Sequence, residues 1–110
     1  MNDLINKTNV YIAQNQYDAI VNTSFLAQKI LDDIVSIIKP GLSESQATDH
    51  AHLIFKDHGI EKLWHRPLIR FNQNTLCNFK DRPVTNHHLQ EEDIAFVDIG
   101  IIKDGIEGDV

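Results

Sequence analysis

With a single cysteine, Cys77, among 110 residues, the chain cannot close an intrachain disulfide, which excludes a disulfide-stapled secreted scaffold. The amino terminus does not combine a basic stretch with an apolar run and a cleavage site. A reducing, cytoplasmic setting is therefore expected. Apolar runs last only a few residues, far short of the roughly 20 that span a bilayer, so the chain reads as soluble with no membrane partner. Positive charge is also scarce: 10 Lys and Arg stand against 16 Asp and Glu, giving a net charge of −6. The basic residues are scattered, which argues against nucleic-acid or anionic-membrane binding. What remains, 42% hydrophobic and 24% charged, has the size and composition of one globular domain spanning residues 1–110.

The first periodic segment places Ala13, Tyr17, Ile20, Ser24, Ala27, Leu31, Ile34 and Ile38 on one helical face, predicting a helix over residues 9–38 after a flexible stretch 1–8. Pro40-Gly41 stops it. Ser43-Glu44-Ser45-Gln46 is a capping box that opens a second helix over 44–58, with Ala47, Ala51, Ile54 and Phe55 as its buried stripe. Gly59 ends that helix, and His58 sits in its last turn, where a cationic imidazole suits the helix dipole. Short strands are expected at Leu68–Phe71, Leu76–Phe79 and Ile94–Lys103, and a polar loop from Phe79 to Glu92. The fold class is α+β, with two helices packed on a small, mainly antiparallel sheet.

Asp104-Gly105 between isoleucine-rich arms is a two-residue hairpin turn, because both central positions need positive φ. The turn pairs Gly100 with Asp109. Asp98 and Asp109 then share one sheet face as diagonal neighbours, about 7–8 Å apart at Cα. Gly100 leaves the space opposite Asp109 clear, and two such carboxylates can bridge a cation. Asp98 interrupts an apolar strand, so a buried position would require compensation, which a metal ion supplies. The alternative is an edge strand with Asp98 in water or bonded to a backbone N–H.

Phe96-Val97-Asp98-Ile99-Gly100 and Asp104-Gly105-Ile106-Glu107-Gly108-Asp109-Val110 resemble the first metal-binding hairpin of the pita-bread metallopeptidases, the family of methionine aminopeptidase, prolidase and creatinase. Ile38-Lys39-Pro40-Gly41-Leu42-Ser43-Glu44 resembles that family's helix-to-helix junction. Trp64-His65-Arg66-Pro67 and Asn72-Gln73-Asn74-Thr75 resemble its bacterial aminopeptidase-P-like branch. The resemblance covers residues 10–110 and implies the first part of a pita-bread domain. It implies a site in which five side chains hold two divalent ions: two hairpin aspartates, then a histidine and two glutamates from later in the domain. Asp98 would be the bidentate ligand and Asp109 the bridging one. Mn, Co, Fe or Zn would serve as the ion, and a peptide as substrate.

Two departures shape the expected function. The later histidine and glutamates are not among these residues, so the 110-residue chain is expected to be a truncated, inactive form that holds metal weakly. The family's substrate-proximal histidine, five residues after an asparagine, falls on Phe79 when counted from Asn74. His65 either lines the substrate pocket in its place or is a partly buried histidine beside Trp64. Three readings follow: an Xaa-Pro or methionyl aminopeptidase-like enzyme domain, a non-catalytic binding module, or a fragment that dimerises through an exposed sheet edge. Elsewhere, His50 and His52 point to different sides of a helix and cannot share an ion. His87-His88 lies in a polar loop without ligand partners. Cys77 reads as a small buried hydrophobe. Arg66, Arg70, Lys80 and Arg82 form either a basic rim for a substrate carboxylate or a solvated face.

Overall fold

The computed structural model describes residues 13–78, 80–81 and 86–110. The expected helix start at 9–12 and the stretch 1–8 lie outside them. In chain order the elements are α1 (Gln14–Ile37), α2 (Glu44–Asp57), β1 (Lys62–Phe71), a 3-10 turn (Asn72–Leu76), β2 (Ala95–Lys103) and β3 (Ile106–Asp109). The strands form one antiparallel sheet in the order β1-β2-β3. Both helices cover one face of it, so the fold is α+β as expected. Ile30 and Ile34 of α1, Ala47, Ala51 and Phe55 of α2, and Ile69, Phe71, Ile99 and Ile101 of the sheet make up most of the core. No helix among the described residues is long and apolar enough to cross a membrane.

The helix boundaries follow from local chemistry. α1 ends at Ile37, just ahead of Lys39, whose place before Pro40 disfavours helical backbone, and Gly41 then takes φ +95°. Ser43 Oγ accepts from the Gln46 amide at 3.1 Å while Gln46 Oε1 accepts from the Ser43 amide at 3.0 Å, closing the capping box. At the far end of α2, the Ile60 N–H reaches Phe55 O and the Gly59 N–H reaches Lys56 O, both at 2.9 Å. With Gly59 at φ +74°, this is a Schellman motif that turns the chain into β1.

The buried stripe of α1 is Thr23, Ala27, Ile30 and Ile34. It is rotated from the expected face: Tyr17, Ile20 and Ser24 are exposed, and Leu31 is only partly buried. The cause is close approach to β3. A Cβ on Gly108 would lie 2.9 Å from Thr23 Cγ2 and 3.2 Å from Ala27 Cβ, so the helix seats on the strand through its small residues. The expected face included Ala27 but not Thr23, a polar residue that an apolar pattern passes over.

Past β1, the expected strand at Leu76–Phe79 does not form: Asn72–Leu76 is a 3-10 turn, Cys77 and Asn78 are irregular, and Phe79 lies outside the described residues. Asn72 adopts φ +50°, leaving the strand conformation, and Thr75 Oγ1 donates to Asn72 O at 2.7 Å. The carbonyls of Cys77 and Asn78, which a strand partner would need, accept instead from Arg70 at 2.7 and 2.9 Å.

A buried carboxylate ties these pieces together. Glu44, 7% exposed at the first position of α2, accepts the Phe71 amide at 2.7 Å, Asn74 Nδ2 at 2.8 Å and the His87 amide at 3.4 Å. The end of β1, the 3-10 turn and the returning loop thus meet at one side chain, whose charge also favours the positive end of the α2 dipole. The loop is further held by Gly41 N–H to Leu89 O (2.7 Å) and Leu89 N–H to Leu42 O (2.8 Å). His58, at the end of α2 as expected, donates from Nε2 to Asp33 Oδ2 on α1 at 2.9 Å, and Lys29 donates to the other oxygen at 2.6 Å.

Two outcomes test this packing. Gly108→Ala should lower unfolding stability by about 1–3 kcal/mol in urea titration, the usual cost of overpacking, because its methyl meets Thr23. Hydrogen bonds from Lys29 first and His58 second hold the Asp33 carboxyl below its ordinary range. The stability it contributes is present above the unfolded value and is lost as pH falls through the depressed folded one. Asp33→Asn should therefore flatten the acid limb of a stability-versus-pH curve.

Candidate metal centre

The hairpin forms in the expected register. Asp104 and Gly105 have φ +52° and +77°, both positive as a type I′ turn requires. Gly100 pairs with Asp109, Ile101 with Gly108, Ile102 with Glu107 and Lys103 with Ile106. Alternation then directs Ile99 and Ile101 into the helix-covered core and Asp98 and Asp109 to the opposite face.

His65 joins them there through two irregularities in β1. Leu63 pairs with Ile101 and Ile69 with Val97, and all four belong to the helix-packed side. Simple alternation from Leu63 would send His65 to that same side. One extra residue between Leu63 and His65 instead sets His65 opposite Gly100, and a second between His65 and Leu68 restores the original phase. Two bulges thus invert the facing of the short segment between them. Pro67, which has no N–H to donate, lies in the second. Trp64 and His65 both crowd Gly100, so the space expected to be clear is filled: a Cβ on Gly100 would lie 2.9 Å from His65 Cδ2 and from Trp64 Cβ.

The result is a three-residue cluster. His65 Nε2 lies 3.3 Å from Asp98 Oδ1 and 3.3 Å from Asp109 Oδ1. One donor atom from each residue falls within 4.8 Å of the others. The imidazole is well covered, its side chain 13% exposed, whereas the carboxylates are open at 47% and 62%. Neither reading of Asp98 holds in full: β2 is the central strand, not an edge, yet its outer face is open at this position. Burial therefore does not demand a counter-ion. The case for a cation rests on convergence and on the donor set, because two carboxylate oxygens and an imidazole nitrogen suit a divalent metal.

His65 Nδ1 is 2.6 Å from Arg66 O, so Nδ1 carries the proton and donates it to that carbonyl. In the neutral ring, Nε2 then presents its lone pair to the two carboxylates. Three electron-rich atoms facing one point are reconciled by a positive centre between them, either a metal ion or a proton on Nε2 that turns the 3.3 Å contacts into an imidazolium ion pair.

The remaining expected residues fall elsewhere. Arg70 belongs neither to a rim nor to a solvated face: it is 2% exposed, bound to the carbonyls of Cys77, Asn78 and Asp81, and stacked 5.9 Å from the Phe96 ring centroid. Arg66 and Lys80 are exposed, and Arg82 and Phe79 lie outside the described residues. His87 joins no metal-ligating group among the described residues and instead donates to Asp93 Oδ2 at 2.9 Å. That bond and the Gln90 amide hold the Asp93 carboxyl below its ordinary range. Cys77 is half-buried and unpaired in any disulfide. His50 and His52 are exposed on α2. Among the described residues, only His65, Asp98 and Asp109 converge in a metal-ligating group.

A family model described as metallopeptidase family M24 matches residues 18–110, a span that includes both helices' packing faces and all three cluster residues. No curated protein and no solved structure matches the chain.

Gly100→Ala tests the assembly of the cluster. The added methyl should displace the His65 ring, moving its NMR resonances, and should cost about 1–3 kcal/mol of stability. Unchanged His65 resonances would mean that the glycine does not set the ring's position.

Proposed function

The chain belongs to metallopeptidase family M24, and on that premise we propose that Asp98 and Asp109 are the carboxylate ligands of a divalent-metal centre serving aminopeptidase chemistry, with Xaa-Pro or methionyl peptides as substrates and the aminopeptidase-P-like branch as the nearest kin. The observation that supports this reading is the meeting of His65, Asp98 and Asp109 on the open sheet face. When bound, Mn, Co, Fe or Zn would supply Lewis acidity toward a peptide carbonyl and easier deprotonation of water.

The chain's own residues carry the rest. The hairpin register aims both carboxylates at one point, and the helix-backed core behind Ile99 and Ile101 keeps that register fixed. Gly100 admits the His65 ring between them. His65, expected either to line the substrate pocket or to be a partly buried histidine beside Trp64, is largely covered yet has Nε2 at the same opening as the two carboxylates. The buried Arg70 guanidinium holds the carbonyls of Cys77, Asn78 and Asp81, fixing the segment that leads toward Phe79.

Three donors converge among the described residues, against the five side chains that the resemblance implies for a metal pair. By itself this chain would hold an ion loosely and leave water activation weak. Phe79, standing where the substrate-proximal histidine is expected, favours a second reading, a non-catalytic peptide-binding module of the same family. Self-association through the exposed edge of β3 is a third reading.

The purified chain should release no amino acid from peptides with Pro second or Met first, with or without added Mn or Co. Calorimetry should show weak Co binding that Asp98→Ala or Asp109→Ala removes. Metal-dependent turnover abolished by Asp98→Ala would overturn the inactive reading. Co binding indifferent to both substitutions would remove the metal assignment itself.

A further inference from the structure

We infer that His65 would be a direct ligand of an ion held by Asp98 and Asp109, so that this chain supplies one nitrogen and two oxygens, not a carboxylate pair alone. The inference rests on the metal reading of the two aspartates and goes beyond it in assigning the third donor to β1.

The first argument is the tautomer. The Nδ1 proton is engaged by Arg66 O at 2.6 Å, which leaves Nε2 as the ligating atom. An outer N–H bonded to a backbone carbonyl is the usual arrangement of a metal-bound histidine, because it fixes the ring and raises the basicity of the other nitrogen.

The second is distance. Both Nε2 to carboxylate separations are 3.3 Å. A charged N–H···O contact closes to about 2.7–2.9 Å. Two donors each about 2.0–2.2 Å from a shared ion, at tetrahedral to octahedral angles, stand about 2.8–3.6 Å apart. Both nitrogen-to-oxygen separations fall in that range, at the long end of a hydrogen bond, and all three donor atoms lie within 4.8 Å of one another.

The third is immobilisation. Gly100 lies against the imidazole, which is only 13% exposed and tied through Nδ1 to Arg66 O, so the ring is set in place before any ligand arrives. A nitrogen donor shifts preference toward Zn, Co and Fe and away from the purely oxygen-loving Mg and Ca.

The test is a titration of the ¹⁵N-histidine-labelled 110-residue chain with Zn²⁺ alone, followed through long-range ¹H–¹⁵N correlations of the six imidazoles. The expected result is a saturable shift of His65 Nε2 with its Nδ1 resonance still that of a protonated nitrogen. In parallel, calorimetry should show Zn²⁺ affinity reduced at least about tenfold in His65→Gln. The wild-type spectra need no variant, and amide spectra report whether His65→Gln remains folded. If Asp98→Asn and Asp109→Asn weaken Zn²⁺ binding while the His65 nitrogens stay still and His65→Gln binds normally, the aspartate reading stands and the histidine inference is overturned. If neither aspartate substitution alters binding, both fall together. A His65 Nδ1 and Nε2 pair that remains doubly protonated at saturating Zn²⁺ would likewise overturn the inference, leaving only an imidazolium ion pair.

Discussion

Every side chain in a sheet belongs to one face or the other, and that binary constraint governs this molecule. The helices claim one face of β1-β2-β3 completely, through Ile69, Phe71, Ile99 and Ile101, so any polar group set among those residues would have to shed its water. Chemistry is confined to the other face. The hairpin satisfies the constraint through alternation alone, delivering Asp98 and Asp109 outward while their neighbours pack inward. β1 satisfies it by breaking alternation twice, which releases His65 from a core-facing position without disturbing Leu63 or Ile69 on either side.

The core behind the site is correspondingly tight where it needs to be thin. Gly108 lets β3 lie against Thr23 and Ala27, placing the strand that bears Asp109 directly on the long helix. Glu44 does a similar service at the other end of the sheet: its two oxygens fix the end of β1 relative to α2 through Phe71 and Asn74. A carboxylate is a costly group to bury, but here each oxygen finds donors, and the buried side-chain polar atoms among the described residues are all satisfied. The outward face inherits its precision from these inward contacts.

Legibility in the sequence tracked how local each cause is. The capping box at Ser43 and Gln46, the stop after Ile38, and the Asp104-Gly105 turn are decided within a few residues, and their patterns could be read directly. The hairpin register followed from the turn, and with it the meeting of Asp98 and Asp109. The face of α1 differs from the expected one because Thr23, a polar residue outside the apolar pattern, joins Ala27 against β3. The supposed strand at Leu76 failed because Arg70 captures carbonyls seven and eight residues ahead, a contact no periodicity displays. His65 could be suspected from its motif, but its route to the site could not, since a bulge is a property of pairing between strands. Pro67 was the one available hint of irregularity in β1.

The paired bulges give this part of the chain an unusual relation between length and sequence change. Substitutions between Leu63 and Leu68 alter what is presented at the site by degrees. Loss or gain of one residue there acts differently, because it changes the parity of the segment and exchanges the two faces for whatever lies beyond it. A lineage can therefore retire or recruit a donor at this position in a single genetic step, without altering either aspartate and without touching the residue it moves.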